Sequence, residues 1–239
     1  MTNVDSGDDL QRIDSRERND NTGSTWPAKR RLASALRKLI GEMCPTGASE
    51  DEILQAAEWT EDCAERFAAA PRAADDPLHS GGPRISGMHD FLDRGPLTGL
   101  SNPIAPGLKT ETDSDARSAC GFLTFGNAYE GAPGIVHGGF VAAALDELLG
   151  MVAAMSGTVA MTGEFTVRYL KPTPINVPLR IEARLDRCSG RRVFTSAEIF
   201  AGQTRTAECT GLFIAVGGEK FEELERANLQ NNQEHDPAR

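Results

Sequence analysis

Residues 140–155 read FVAAALDELLGMVAAM, and two carboxylates stand in the middle of this apolar run. Apolar side chains at nearly every position of the helical repeat describe a helix buried on all sides, as a sheet wrapped around it would provide. A carboxylate in such a place is costly unless it is paired or put to use. Consecutive helical positions point about 100° apart, so Asp146 and Glu147 cannot share one environment. Two readings of the pair stay open. Either this side of the helix meets solvent or an interface, which suits Glu147 in particular, or Asp146 faces a substrate cleft and carries a raised pKa.

The residues leading into the helix are equally restrictive. GAPGIVHGGF spans 131–140 and places Gly138 and Gly139 at the helix start. The first N–H groups of a helix have no intrahelical acceptor, and the missing side chains let a ligand approach them. The helix dipole adds positive potential there, which suits an anion or a carbonyl oxygen becoming one. Taken singly, the glycines read as a tight turn and His137 as a structural hydrogen bond. Beside a buried carboxylate they outline a site. Gly138 and Asp146 lie about 12 Å apart along one helix, too far to act on one carbonyl. Two antiparallel helices would bring the N-terminus of one to Asp146 of the other, so a shared site requires a symmetric dimer.

Around the helix, expected over about 138–153, the pattern is β. Strands are predicted over 117–126, 161–170, 178–187, 191–201 and 204–216, with Leu179, Ile181, Ala183 and Leu185 alternating with polar residues. Short turns at 172–174, 189–190 and 202–203 predict that the last four strands are antiparallel neighbours. Upstream, Leu32, Leu36, Leu39, Ile40 and Met43 recur at helical spacing. Ser49 with Glu52 forms a capping box for a second helix whose face carries Ile53, Ala57, Cys63, Ala64 and Phe67. The expected organisation is a disordered tail over 1–25, a helical hairpin over 26–72 that packs on something else, and an ordered covering loop over 73–110. The principal domain follows over 111–217, and a polar tail over 218–239.

Composition excludes some classes. The 239 residues carry a net charge of −10, without the basic footprint of a general nucleic-acid or anionic-membrane binder. Within this acidic chain, residues 161–206 hold eight basic against four acidic side chains, a candidate strip for an anionic ligand. Five cysteines without CxxC-like spacing fit neither a disulfide framework nor a zinc knuckle. The opening residues have no apolar core and do not read as a signal peptide. The run over 140–155 is too short for a membrane span. A cytoplasmic protein is expected.

YEGAPGIVHGGFVAAALDELLG followed by MTGEFTVRYLKPTP resembles the PaaI-type acyl-CoA thioesterases of the hotdog fold, in the branch carrying Y-x-G-x-P-G-x-x-H-G-G. The resemblance covers about residues 85–216. It implies an α+β hotdog fold, an antiparallel sheet wrapped around one long central helix, here with an N-terminal helical extension. By position it implies that the Gly138 N–H, in the Gly138–Gly139 turn, polarises a thioester carbonyl. It makes Asp146 the nucleophile or general base, gives Thr162 a role in positioning the carboxylate or the water, and gives His137 a structural or supporting role. Lys171, Arg191 and Arg192, at strand ends or turns, are the candidates for the phosphates of coenzyme A, which is part of the substrate. No metal or redox cofactor is implied; a homodimer is expected, with pairing of two dimers into a tetramer left open. One departure stands out: several members have an Asn six residues before the His, and here that position is Gly131, so polar help would have to come from Asn127 or Glu130. Covering the acyl tunnel is the role this implies for the 71–110 loop. A non-catalytic acyl-CoA or lipid-binding module and a hydratase or dehydratase on the same fold are the alternatives.

Overall fold

The computed structural model describes residues 26–71 and 93–216, together with Glu223 and Ala227. The predicted tail over 1–25, most of that over 218–239 and the first part of the covering loop lie outside the described residues.

Six antiparallel strands form one sheet: β1 (Lys109–Asp113), β2 (Ser118–Leu123), β3 (Ala160–Tyr169), β4 (Leu179–Ser189), β5 (Arg192–Ala201) and β6 (Thr204–Ala215). Their order is β1-β2-β4-β5-β6-β3. Helix α3 (Gly138–Ala154; α1 and α2 precede it) lies across the sheet and touches β2 through β6. This is the α+β hotdog arrangement. Alternation builds the sheet's inner face. Leu179, Ile181, Ala183 and Leu185 of β4 and Val193, Thr195, Ala197 and Ile199 of β5 are buried, and the residues between them face outward. Gly211 and Gly121 let the helix approach closely: a Cβ at Gly211 would lie 2.9 Å from Leu149 Cδ1, and one at Gly121 3.0 Å from Leu148 Cδ2.

The structure corrects the sequence reading at three points. A strand pair, β1 and β2, stands where one strand was expected, and β1 begins at Lys109, inside the supposed loop. The turn at 172–174 does not join neighbours. β3 pairs with β6, at the sheet edge, and β4 lies between β2 and β5. The connecting segment crosses beneath the start of α3, where Thr173 O accepts from Val136 N at 2.8 Å and Asn176 N donates to Phe125 O at 2.7 Å. Third, α3 is not enclosed on every side within one chain. Val141, Ala144, Leu145, Leu148, Leu149 and Val152 are buried, while Phe140 is 40% exposed and Ala142, Ala143, Asp146 and Glu147 are only half-buried.

Helices α1 (Trp26–Met43) and α2 (Glu50–Ala69) precede the sheet. The Ser49–Glu52 capping box forms as its spacing requires. α1 docks through buried Ala33, an ion pair of Arg30 with Asp93 at 3.1 Å, and Arg37, whose guanidinium donates to Leu100 O and Asn102 O. α2 has no buried residue. Its face of Ile53 and Phe67 is exposed, so the expectation of a hairpin packed as a unit holds for α1 alone.

Candidate active site

The start of α3 is fixed from the loop before it. His137 N donates to Tyr129 O at 2.9 Å, and His137 is the N-cap: its Nδ1 accepts from Gly139 N at 3.1 Å. The two glycines therefore differ. The Gly139 N–H is consumed by the cap, whereas the Gly138 N–H meets no acceptor among the described residues. Tyr169, at the end of β3, completes this corner. Its hydroxyl donates to Gly138 O at 2.8 Å, and its Cζ and Oη lie 3.3 Å from the position a Gly138 Cβ would take. Sequence reasoning quoted Tyr169 within a motif but gave it no task.

Asp146 and Thr162 are brought together from α3 and β3. Thr162 Oγ1 donates to Asp146 Oδ1 at 3.4 Å. Burial pushes the Asp146 carboxyl above its ordinary value, and the Thr162 hydroxyl partly opposes that rise. Glu147 faces elsewhere, as its 100° rotation demands. It hydrogen-bonds Thr98 of the 93–108 segment, and burial, then the charge of Asp146, raises its pKa. Glu147 is thus half-buried, with its carboxylate held by the loop. Thr98 carries no motif, so nothing in the sequence pointed to it.

Gly131 has a physical reason to lack a side chain. A Cβ there would lie 2.8 Å from His137 Cα and 3.1 Å from His137 Cβ, so this backbone excludes an Asn. The two substitutes proposed for it are engaged elsewhere. Asn127 Oδ1 accepts from Asn176 Nδ2 at 2.8 Å, and Glu130 accepts from Gly134 N.

Four of the eight basic side chains in the strip pair with cross-strand or neighbouring acids. Arg168 pairs with Glu208, Arg180 with Glu182, Arg184 with Asp186, and Arg205 with Glu198 and Glu208. Lys171, Arg191 and Arg192 are exposed and have no carboxylate partner among the described residues; Arg191 Nε donates to Ala215 O. They do not converge in one chain. Lys171 N bonds Thr206 O, at the Gly138 end of the sheet, whereas Arg192 pairs with Ile214, at the Thr162 end. Thr206 and Ala215 lie nine positions apart along β6, about 30 Å.

One end of the helix thus offers an open N–H donor, and its middle offers a desolvated carboxylate held by a hydroxyl. Together such groups can stabilise an oxyanion and remove a proton from water. Comparison with known proteins agrees with this class. The thioesterase superfamily model matches residues 133–208. A crystal structure of a thioesterase superfamily protein superposes with a TM-score of 0.67 and 30% identity, covering 78% of this chain and 94% of that one. The chain belongs to the thioesterase superfamily. Among curated proteins, acyl-coenzyme A thioesterase THEM4 of Bos taurus is 32% identical over 113 residues, 46% of each chain. Acyl-coenzyme A thioesterase THEM5 of Homo sapiens is 29% identical over 102 residues, 42% of this chain and 41% of its own. The chain spans less than half the length of the curated relatives it matches.

Proposed function

We propose that this protein hydrolyses acyl-coenzyme A thioesters to the free acid and coenzyme A. The observation that carries the reading is the Asp146–Thr162 pair on α3 and β3, in a chain whose α3 also presents the unconsumed Gly138 N–H. The thioester carbonyl oxygen accepts from Gly138 N–H. Asp146 of the partner subunit takes a proton from water, and the water oxygen bonds to the carbonyl carbon. The negative charge moves to the carbonyl oxygen, where the helix N-terminus stabilises it. Collapse of the intermediate breaks the C–S bond, and the proton on Asp146 passes to the leaving sulfur. Direct attack by Asp146, with an anhydride then opened by water, uses the same atoms. Thr162 holds one carboxylate oxygen so that the other faces the reactants.

The distance along α3 supports a homodimer, since one chain cannot bring its own Gly138 and Asp146 to one carbon. Antiparallel pairing would also gather Lys171 of one subunit with Arg191 and Arg192 of the other near the coenzyme A phosphates. No helix among the described residues is long and apolar enough to cross a membrane. The five cysteines are unbridged, which favours a reducing compartment such as the cytoplasm.

The test is thiol release from acyl-CoAs of two to eighteen carbons and from aromatic acyl-CoAs, with Asp146→Asn alongside. Release by the native protein and none by the variant supports hydrolysis. Tight acyl-CoA binding with no release from any substrate would favour the binding module instead.

A further inference from the structure

A pocket of about 320 Å³ opens between α1, residues 103–106 and the turn that precedes α3. Its walls include Arg37, Ile40 and Gly41 of α1, Ile104 of the loop, and Tyr129 and Phe140. These walls are tied to one another. The Arg37 guanidinium grips Leu100 O and Asn102 O, Tyr129 Oη donates to Ile104 O at 2.8 Å, and the Tyr129 and Phe140 rings pack edge to face with centroids 4.9 Å apart. The interior is nonetheless under-filled: Ile104 is 61% and Phe140 40% exposed. Tyr129, in the pocket wall, accepts at its carbonyl from His137 N at 2.9 Å, so the pocket lies beside the start of α3.

Gly41 lines this space from α1 without a side chain. It lies inside α1, where a glycine weakens a helix relative to alanine, and a Cβ added there would meet nothing within 4 Å. No steric demand of the fold requires glycine at 41. We infer that the pocket receives the acyl group of the thioester, and that Gly41 sets the acyl length that fits; this rests on the hydrolase reading above. An apolar chain bound by Ile40, Ile104, Tyr129 and Phe140 leaves its carbonyl at the start of α3. The helical extension thereby acquires a task in substrate selection.

The experiment uses S-alkyl-coenzyme A thioethers from ethyl to dodecyl, which present the chain but no carbonyl to hydrolyse. Binding is measured by calorimetry to the full chain and to Gly41→Ala, Gly41→Leu and Gly41→Trp, each of which improves helix propensity and is expected to fold. In the native protein, affinity should rise about fourfold per methylene until the pocket is full. The break should move to shorter chains from Ala through Leu to Trp, with dodecyl binding at least tenfold weaker in Gly41→Trp. One common length profile for all four proteins would overturn the inference. Length-dependent binding that Gly41→Trp truncates, with no thiol release from any acyl-CoA, would retain the pocket and remove the hydrolase. Thiol release with a length profile indifferent to residue 41 would do the reverse.

Discussion

Thr162 Oγ1 reaches Asp146 Oδ1 at 3.4 Å across the gap between β3 and α3, joining two residues sixteen positions apart in the chain. The bond passes next to a β-bulge: between Thr162 and Glu164 the register of β3 against β6 shifts by one residue. Bulges re-aim side chains at sheet edges and beside active sites. Gly163, the residue at the shift, is closely packed, its Cβ position lying 3.0 Å from Ile214 Cγ1, which would have to give way to a side chain there.

From this pair the first prediction follows. Asp146→Asn preserves shape and removes the base, so kcat for thioester hydrolysis should fall by about a thousandfold while the Kd of a thioether analogue stays within twofold. Thr162→Val removes one hydrogen bond to the carboxylate and should lower kcat about fivefold; Thr162→Ser should restore most of it. Steady-state kinetics with a thioether binding assay separates the two effects.

The pH dependence has a definite sign. Burial raises the Asp146 carboxyl above its ordinary 3.8, with the Thr162 bond acting against the rise. Hydrolysis needs the ionised form, so kcat/KM should fall on the acid side with an inflection above 3.8, and Thr162→Val should move that inflection higher. The folded protein also holds this proton more tightly than the unfolded chain. The stability that results is complete below the unfolded value and is lost as pH rises through the folded one. Asp146→Asn, neutral at every pH, should therefore melt higher than the native protein at pH 7, and the difference should vanish near pH 3. Glu147→Gln should behave alike, for Glu147 is raised by burial and by Asp146.

What the sequence disclosed was local and periodic. The inner face of β4 was legible because Leu179, Ile181, Ala183 and Leu185 alternate without a break, and all four are buried. β1 was invisible because KTETD contains no buried residue, leaving no alternation to detect. The partner of β3 was misjudged because the prolines at 172 and 174 mark a change of direction but do not specify where the chain goes next. The Asp146–Thr162 pair was legible through resemblance, whereas the Thr98–Glu147 bond joins residues 49 positions apart by way of an unpatterned loop. At Gly131 the sequence showed only a departure from the motif; its cause, the closeness of His137, exists only in three dimensions.

That closeness makes a second structural prediction. Introducing at 131 the asparagine that the family resemblance leads one to expect should harm this protein. In Gly131→Asn the new Cβ would meet the His137 backbone at 2.8 Å, and backbone cannot yield as a side-chain tip can. Overpacking of this kind costs about 1–3 kcal/mol, or about 5 °C in Tm for a chain of this size. Gly131→Ala should lower Tm by a similar amount, since the clash begins at Cβ. Calorimetry of both variants checks it, and a Tm unchanged in both would contradict the geometry.

His137 should prove to be a cap before it is anything chemical. Its Nδ1 satisfies Gly139 N, so His137→Ala should destabilise α3 by about 1 kcal/mol. His137→Asn supplies another N-cap acceptor and should recover most of that loss. If activity follows Tm across the pair, the histidine acts through the helix start. If His137→Asn melts like the native protein yet loses hydrolysis a hundredfold, the imidazole takes part in the reaction itself.

The thiol assay brings a last prediction, because the protein carries thiols of its own. Cys44, Cys63 and Cys188 are exposed, Cys120 is half-buried and Cys209 is buried. Only the thiolate is the nucleophile toward a disulfide reagent. Burial, reinforced by the nearby Asp146 charge, pushes the Cys209 thiol up to about 12, so almost none is ionised at neutral pH. A chromogenic disulfide reagent should therefore titrate the three exposed cysteines rapidly, Cys120 slowly and Cys209 not at all in the folded protein, and all five in denaturant. Prompt labelling of Cys209 at pH 7.5 would mean that β6 opens to solvent on the assay timescale. Because Cys209 packs in the core beneath α3, such opening would loosen the support of Asp146 as well. It should then be accompanied by a fall in hydrolysis.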